Sequence, residues 1–249
     1  MPGGTSGALD TLSAASAADV NSEAAMTVEV KDRRLARRLA AEHVARGDPL
    51  GWFERLYTLA GSDTQLIPWG DMAPNPNFTS WLERARLDGL GKKALQIACG
   101  LGDDAEDLAA AGLQVTAFDI APTAIQWCTT RFPESSVTYQ VADLFRPPPT
   151  WSGQFDFVLE VYTLQSLPRE LRGDAIAHMA ACVAPGSDLL VIGRLTDDGA
   201  DTDSLPWPLM RQEVSAFADA GLREIRVEDY VDDEHPPVRR VRAHYRRGA

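Results

Sequence analysis

The chain has 249 residues, 24 of them basic and 36 acidic, for a formal net charge of −12. A surface of that sign repels nucleic acid and favours a small-molecule partner, and the apolar runs are too short to span a bilayer. Cys99, Cys128 and Cys182 show no paired spacing and read as reduced, buried thiols of a cytoplasmic protein; without C-x-x-C or H-E-x-x-H patterns, no metal site is expected.

Residues 1–28 are small and polar, rich in Gly, Ala and Ser, and are expected to be disordered. A segment of cover helices and a loop follows, over residues 29–78. From Lys31 to Arg46, Leu35, Leu39 and Val44 recur at helical spacing, with arginines on the opposite, solvated face. Trp52, Phe53, Leu56 and Tyr57 continue the apolar stripe and read as core packing of a cover helix. Residues 67–78 hold three prolines, Trp69 and two asparagines, which predicts a stiff extended loop leading into a helix from Ser80 to Asp88. Such a loop, just ahead of the first sheet strand, is placed to act as a lid, with Trp69 its aromatic member.

The apolar run from Ala94 meets Cys99, Gly100 and Gly102 and then the acidic helix start Asp103-Asp104. A buried strand that enters a tight glycine turn before a helix is the layout of a nucleotide-type cofactor site. The glycines let backbone approach a ligand closely. A helix from Asp104 to Ala111 closes at Gly112. A second strand, Gln114 to Phe118, ends at Asp119, about 20 residues past the turn, the spacing for an acid that binds a ribose diol. A helix from Pro122 to Phe132 leads to a third strand, Val137 to Ala142, ending at Asp143. A fourth, Phe155 to Val161, carries Glu160 near its end. Alternating strands and helices predict a parallel sheet that binds its ligand beyond the strands' carboxyl ends. Each acid also has a plainer role: Asp119 as a turn former, Asp143 as part of a turn, and Glu160 as a buried, hydrogen-bonded acid.

Near the C-terminus, Leu222 to Val231 reads as a sixth strand, His235-Pro236-Pro237 as a turn and Val238 to Arg246 as a last strand, basic on one side. If the sixth strand runs parallel to the first five, Asp232, Asp233, Glu234 and His235 rim the acceptor pocket. The loop of residues 196–203, with Trp207 and Met210, joins that rim.

Taken in order, these motifs resemble class I S-adenosylmethionine-dependent methyltransferases over residues 79–249, and residues 184–191 resemble the turn and fifth strand that follow the family's fourth crossover helix. The resemblance implies a Rossmann-like three-layer α/β sandwich whose seven-stranded, mostly parallel sheet ends in an antiparallel strand. It implies S-adenosylmethionine as cofactor, held by Trp69, Cys99, Gly100, Gly102, Asp119, Ile120, Ala142, Asp143, Leu144 and Glu160. Catalytic roles near the transferred methyl fall to Glu160 and Tyr162, with His235 as a rim base. One departure is the acidic pair Asp103-Asp104 in place of the third glycine, which argues against a pyrophosphate ligand. The Pro68-Trp69 loop is similar to that of thiopurine and halide/thiol methyltransferases, although Gly70 stands where that subfamily has an acid. The implied function is methyl transfer to a small thiol, halide or hydroxyl acceptor, by a monomer or homodimer without nucleic-acid or membrane partners. Two alternatives remain open: an O-methyltransferase of a sugar or natural-product hydroxyl that uses a side-chain base, and a catalytically silent cofactor-binding module.

Overall fold

The computed structural model describes residues 33–85, 87, 89–197, 199 and 205–249. The expected disordered tail, and Asp198, Asp201 and Asp203 of the expected acidic rim, lie outside the described residues. Helices α1 (Arg34–Ala45), α2 (Gly51–Ala60) and α3 (Pro76–Ala85) come first. Then follow β1 (Lys93–Ile97), α4 (Asp103–Ala110), β2 (Gln114–Asp119), α5 (Pro122–Arg131), β3 (Thr138–Val141) and β4 (Phe155–Val161). The last part holds α6 (Arg169–Cys182), β5 (Val183–Thr196), the two-residue β6 (Leu209–Met210), α7 (Arg211–Asp219), β7 (Leu222–Val231) and β8 (Arg239–Arg247).

The strands lie in the order β3-β2-β1-β4-β5-β8-β7, with β6 beside β5. Strands β1 to β5 pair in parallel, whereas β8 runs antiparallel to both β5 and β7. Strand β7 therefore points the same way as β5, as the sequence anticipates. The short β6 has no counterpart in the sequence reading, and it draws Met210 into the core at 6 % exposure rather than onto a rim.

Both faces of the sheet are buried, so its central strands are mostly apolar on both sides and the alternation shows mainly in what each side chain touches. Leu95, Ile97, Val158, Leu189 and Val191 pack on one face with Ile176 and Met179 of α6 and Phe217 of α7. Ala94, Phe157, Leu159, Leu190 and Ile192 pack on the other with Phe78 of α3, Leu108 of α4 and Ile125 of α5. A third cluster joins α1 and α2 through Leu39, Trp52 and Leu56 to Ala121 and Ala124 of α5.

Helix α3 starts at Pro76, four residues before the expected Ser80. Proline's fixed φ suits a first helical turn, where its missing N–H costs nothing. Asn75 Oδ1 completes the start by accepting from the Asn77 N–H at 3.0 Å. The helix thus takes Asn77 and Phe78 from the expected loop, and both are buried.

The basic side of β8 is neutralised within the protein. Arg240 pairs with Asp232 and Glu234, Arg242 with Glu228, and Arg246 with Asp188. Arg172 is the most deeply buried cation away from that strand. It donates to Glu213 at 2.6 Å and to the Trp207 and Leu167 carbonyls at 2.7 and 3.1 Å. Glu213 in turn accepts from the Met210 N–H at 2.8 Å at the start of α7. One guanidinium therefore ties the segment after β4 to α6 and α7. Arg172→Ala strands a carboxylate and two carbonyls, and removing one partner of a buried pair costs about 3 kcal/mol or more. Urea denaturation is expected to show that loss; a change below about 1 kcal/mol, the range of an exposed ion pair, would contradict the role.

Candidate functional site

At the carboxyl end of β1 the chain reverses through Ala98, Gly100 and Gly102, all at positive φ (44°, 57° and 91°). A Cβ on Gly102 would stand 2.7 Å from Tyr139 Oη, and one on Gly100 3.2 Å from Trp69 Cδ1. Glycine is thus required at Gly102 by both conformation and space. Ala98 holds the left-handed conformation despite its Cβ, a local strain that the surrounding contacts must fix.

Those contacts centre on Asp119, at the end of the neighbouring β2. Its Oδ2 accepts from the Gly100 N–H at 3.0 Å and its Oδ1 from the Ala121 N–H at 2.9 Å. The Cys99 N–H donates to the Phe118 carbonyl at 2.7 Å. The acid read from the sequence as a ribose contact is therefore first a clamp on the glycine turn. Two oxygens offer about four acceptor directions, so capacity remains for a ligand hydroxyl. Burial raises the Asp119 carboxyl to about 6, against the pull of its backbone donors.

The loop ahead of α3 folds over this turn. Trp69 Nε1 donates to Tyr57 Oη at 2.7 Å, and the indole meets the rings of Trp52 and Tyr57 edge-on at 6.1 Å. The Asn75 N–H donates to Asp104 Oδ1 at 2.6 Å, and Thr79 Oγ1 to Asp107 at 3.2 Å. The loop is thereby fastened to α4. Burial, assisted by Asp103, Asp107 and Asp71, raises the Asp104 carboxyl to about 7.

At the end of β4, Tyr162 also adopts a positive φ of 65°. Its N–H donates to the Ile192 carbonyl at 2.9 Å, and its ring lies 4.8 Å from the Arg240 guanidinium. Its hydroxyl accepts from Asn77 Nδ2 at 3.3 Å, and Asn77 Oδ1 accepts from Tyr230 at 2.6 Å. Burial pushes the Tyr162 phenol above its ordinary range, so it stays protonated at neutral pH.

Around these features runs a cleft of about 1040 Å³, counting its open mouth. Of the sequence-predicted residues, Trp69, Cys99, Gly100, Gly102, Asp119, Ile120, Asp143, Leu144 and Tyr162 line it together. Three do not. Ala142 is bound through its N–H to the Asp119 carbonyl at 3.1 Å, while its neighbours face the cleft. Glu160 is fully buried, and its Oε1 accepts from the Thr163 and Leu164 N–H groups at 2.6 and 3.0 Å. Burial lifts it to about 7, but its work is to hold the turn after β4. His235 is exposed, with Nδ1 3.1 Å from the Asp233 carbonyl, outside the cleft lining. The neighbouring Asp232 and Glu234 serve Arg240 instead of an open rim.

The sequence reading missed Phe53, Tyr57, Asp71, Asn75, Gln96, Asp103 and Asp104 as lining residues. A signal existed for two of them: Phe53 and Tyr57 are four apart on one helix and so share a face. Nothing in the spacing distinguishes Gln96, whose Oε1 is buried without a partner among the described residues.

Residues 94–186 match the family described as a methyltransferase domain. The chain is similar to the ubiquinone biosynthesis O-methyltransferase of Xanthomonas oryzae pv. oryzae, 34% identical over 112 residues, which are 43% of this chain and 45% of that protein. The chain thus spans about half the length of the curated relatives it matches. Two solved structures share the fold. The 1,6-didemethyltoxoflavin-N1-methyltransferase of Burkholderia thailandensis has a TM-score of 0.64 at 15% identity, over 84% of this chain and 91% of that one. The N-methyltransferase NodS of Bradyrhizobium japonicum WM9, bound to S-adenosyl-l-homocysteine, has a TM-score of 0.63 at 19% identity, over 79% and 98%. The architecture is that of class I methyltransferases, whose cofactor is S-adenosylmethionine.

The cleft suits that cofactor. Asp71, Asp103, Asp104, Asp119 and Asp143 line it, an acidic surround for a sulfonium cation. Phe53, Tyr57 and Trp69 supply an aromatic wall, and the unpartnered Gln96 Oε1 and Thr163 Oγ1 are polar atoms in residues of the lining. Among the described residues, no helix is long and apolar enough to cross a membrane.

The Asp104 carboxyl leads to a pH prediction. Its folded value, about 7, exceeds the ordinary 3.8. The folded protein therefore holds a proton that the unfolded chain releases, so this group's contribution is fully present below the unfolded value and is lost as pH rises to about 7. Asp104→Asn removes that dependence and keeps an oxygen for the Asn75 N–H. Urea midpoints at pH 5 and pH 8 are expected to shift in favour of the variant as pH rises; a gap independent of pH would contradict the assignment.

Proposed function

We propose that the protein transfers a methyl group from S-adenosylmethionine to a hydroxyl oxygen of a small molecule. The observation that carries the oxygen acceptor is Tyr162: a protonated phenol in a left-handed backbone position, lining the same cleft as the glycine turn and hydrogen-bonded to Asn77. A fixed hydroxyl orients an oxygen acceptor through hydrogen bonds, whereas a halide or thiolate gains little from one. The Xanthomonas relative, an O-methyltransferase by name, supports the same choice over a thiol or halide.

S-adenosylmethionine supplies a methyl group on a sulfonium whose leaving group departs uncharged. This chain's residues then have three tasks. Gly100, Gly102 and Asp119 receive the cofactor, with Cys99, Ile120, Asp143 and Leu144 beside them. Trp69, tied to Tyr57, covers the turn and excludes water. Tyr162 aligns the acceptor oxygen, and alignment is the main source of rate when the leaving group needs no assistance. No histidine lines the cleft. An acceptor whose hydroxyl ionises readily, a phenol or enol, therefore suits it better than an aliphatic alcohol.

The test is release of S-adenosylhomocysteine with iodide, thiols, aliphatic alcohols and phenols. Turnover with phenols is expected, and Tyr162→Phe is expected to lower kcat at least tenfold while leaving S-adenosylhomocysteine affinity intact. Turnover confined to thiols or iodide, or an unchanged kcat in the variant, would overturn the reading.

A further inference from the structure

Acids line the cofactor cleft, but the charged side chain packed on Tyr162 outside that lining is basic. Arg194 near the end of β5 and Arg240 at the start of β8 are direct cross-strand partners. Arg240 is 1 % exposed and compensated: it donates to Asp232 and Glu234 and stacks on Tyr162. Arg194 is different. Its backbone is pinned by a 2.6 Å bond from its N–H to Gln165 Oε1, and its side chain is only 18 % exposed. Among the described residues, the carboxylate within 4 Å of it is Glu234, at 3.9 Å, beyond hydrogen-bond reach and already engaged by Arg240. Burial together with the nearby charges of Arg33 and Arg240 lowers its pKa to about 10, so it remains a cation at neutral pH. A half-buried guanidinium beside other guanidiniums is electrostatically unfavourable until an anion joins it.

We infer that Arg194 receives a carboxylate of the methyl acceptor, so that the substrate is a hydroxy acid with its oxygen at Tyr162 and its carboxylate at Arg194. The guanidinium presents a planar fork of donors that matches a carboxylate bidentately. Arg33, which precedes α1, adds positive potential from the cover helices. Tyr162 lines the cofactor cleft and its ring stacks on Arg240, the cross-strand partner of Arg194, so Arg194 stands next to that lining rather than in it. The acids on the cofactor side repel the carboxylate and the arginines attract it, which sets the acceptor's direction. This substrate class rests on the methyltransferase reading above.

The test uses the full chain saturated with S-adenosylhomocysteine and a set of matched ligands: 2-, 3- and 4-hydroxybenzoate, 3,4-dihydroxycinnamate and 3-hydroxybutyrate, each against its primary amide. Calorimetry with wild type is expected to show at least one acid bound tenfold or more tightly than its amide. Arg194→Gln should abolish that preference, Arg194→Lys should keep part of it, and both should leave S-adenosylhomocysteine affinity and the thermal midpoint near wild type. Equal binding of acids and amides, no binding by any pair, or a preference that survives Arg194→Gln would overturn the inference. A variant that loses stability with no change in selectivity would also overturn it, because Arg194 would then serve an internal acid. Failure of wild type to bind S-adenosylhomocysteine is a separate result, and it would remove the methyltransferase reading itself.

Discussion

Asp119 brings a carboxylate to the carboxyl edge of a sheet buried on both faces, and backbone N–H groups from two different loops occupy its two oxygens. Much of the site follows from that arrangement. The Gly100 contact sets how far the turn after β1 leans towards β2. The Ala121 contact sets where α5 begins, and α5 carries the small residues on which α1 and α2 pack. Glycine turn, cover helices and sheet thus share one anchor. A buried carboxylate is costly unless it is hydrogen-bonded, so the anchor holds only while the turn keeps its shape.

The second organising constraint is charge. An excess of acid in the whole chain is distributed unevenly around the site. Aspartates line the cleft about the glycine turn, while Arg240 packs on Tyr162 from outside that lining with Arg194 opposite it on β5. The β8 arginines are legible as a basic strand, but their acidic partners on β7 and its following turn are not. Once folded, Asp232 and Glu234 become internal counter-ions of Arg240, which removes them from the rim and leaves Arg194 weakly compensated.

The strands and their directions were legible because buried parallel strands need largely apolar runs bounded by turn residues. Gln114–Asp119 and Phe155–Val161 stand where the pattern placed them or within a residue of it. Features decided by a single backbone angle were less legible. Glu160 reads as a cleft acid by its place near a strand end. The positive φ of Tyr162 instead turns the chain so that the N–H groups of Thr163 and Leu164 face that carboxylate. Pro76 reads as a loop residue because proline breaks helices in their interior, yet it also suits their first turn. Two-residue β6 is too short to carry a period. Gln96 and Asp104 became cleft residues through the path of the loop ahead of α3 and the depth of the turn, which no local pattern encodes.

The most direct test of the Asp119 anchor is calorimetry of S-adenosylhomocysteine with wild type and Asp119→Ala. Loss of both the proposed acceptor for the ligand and the clamp on Gly100 is expected to weaken binding at least tenfold, about 1.4 kcal/mol or more. Equal affinity in the two proteins would show that the glycine turn holds its shape and its ligand without this carboxylate, and the account of the site built on it would be wrong.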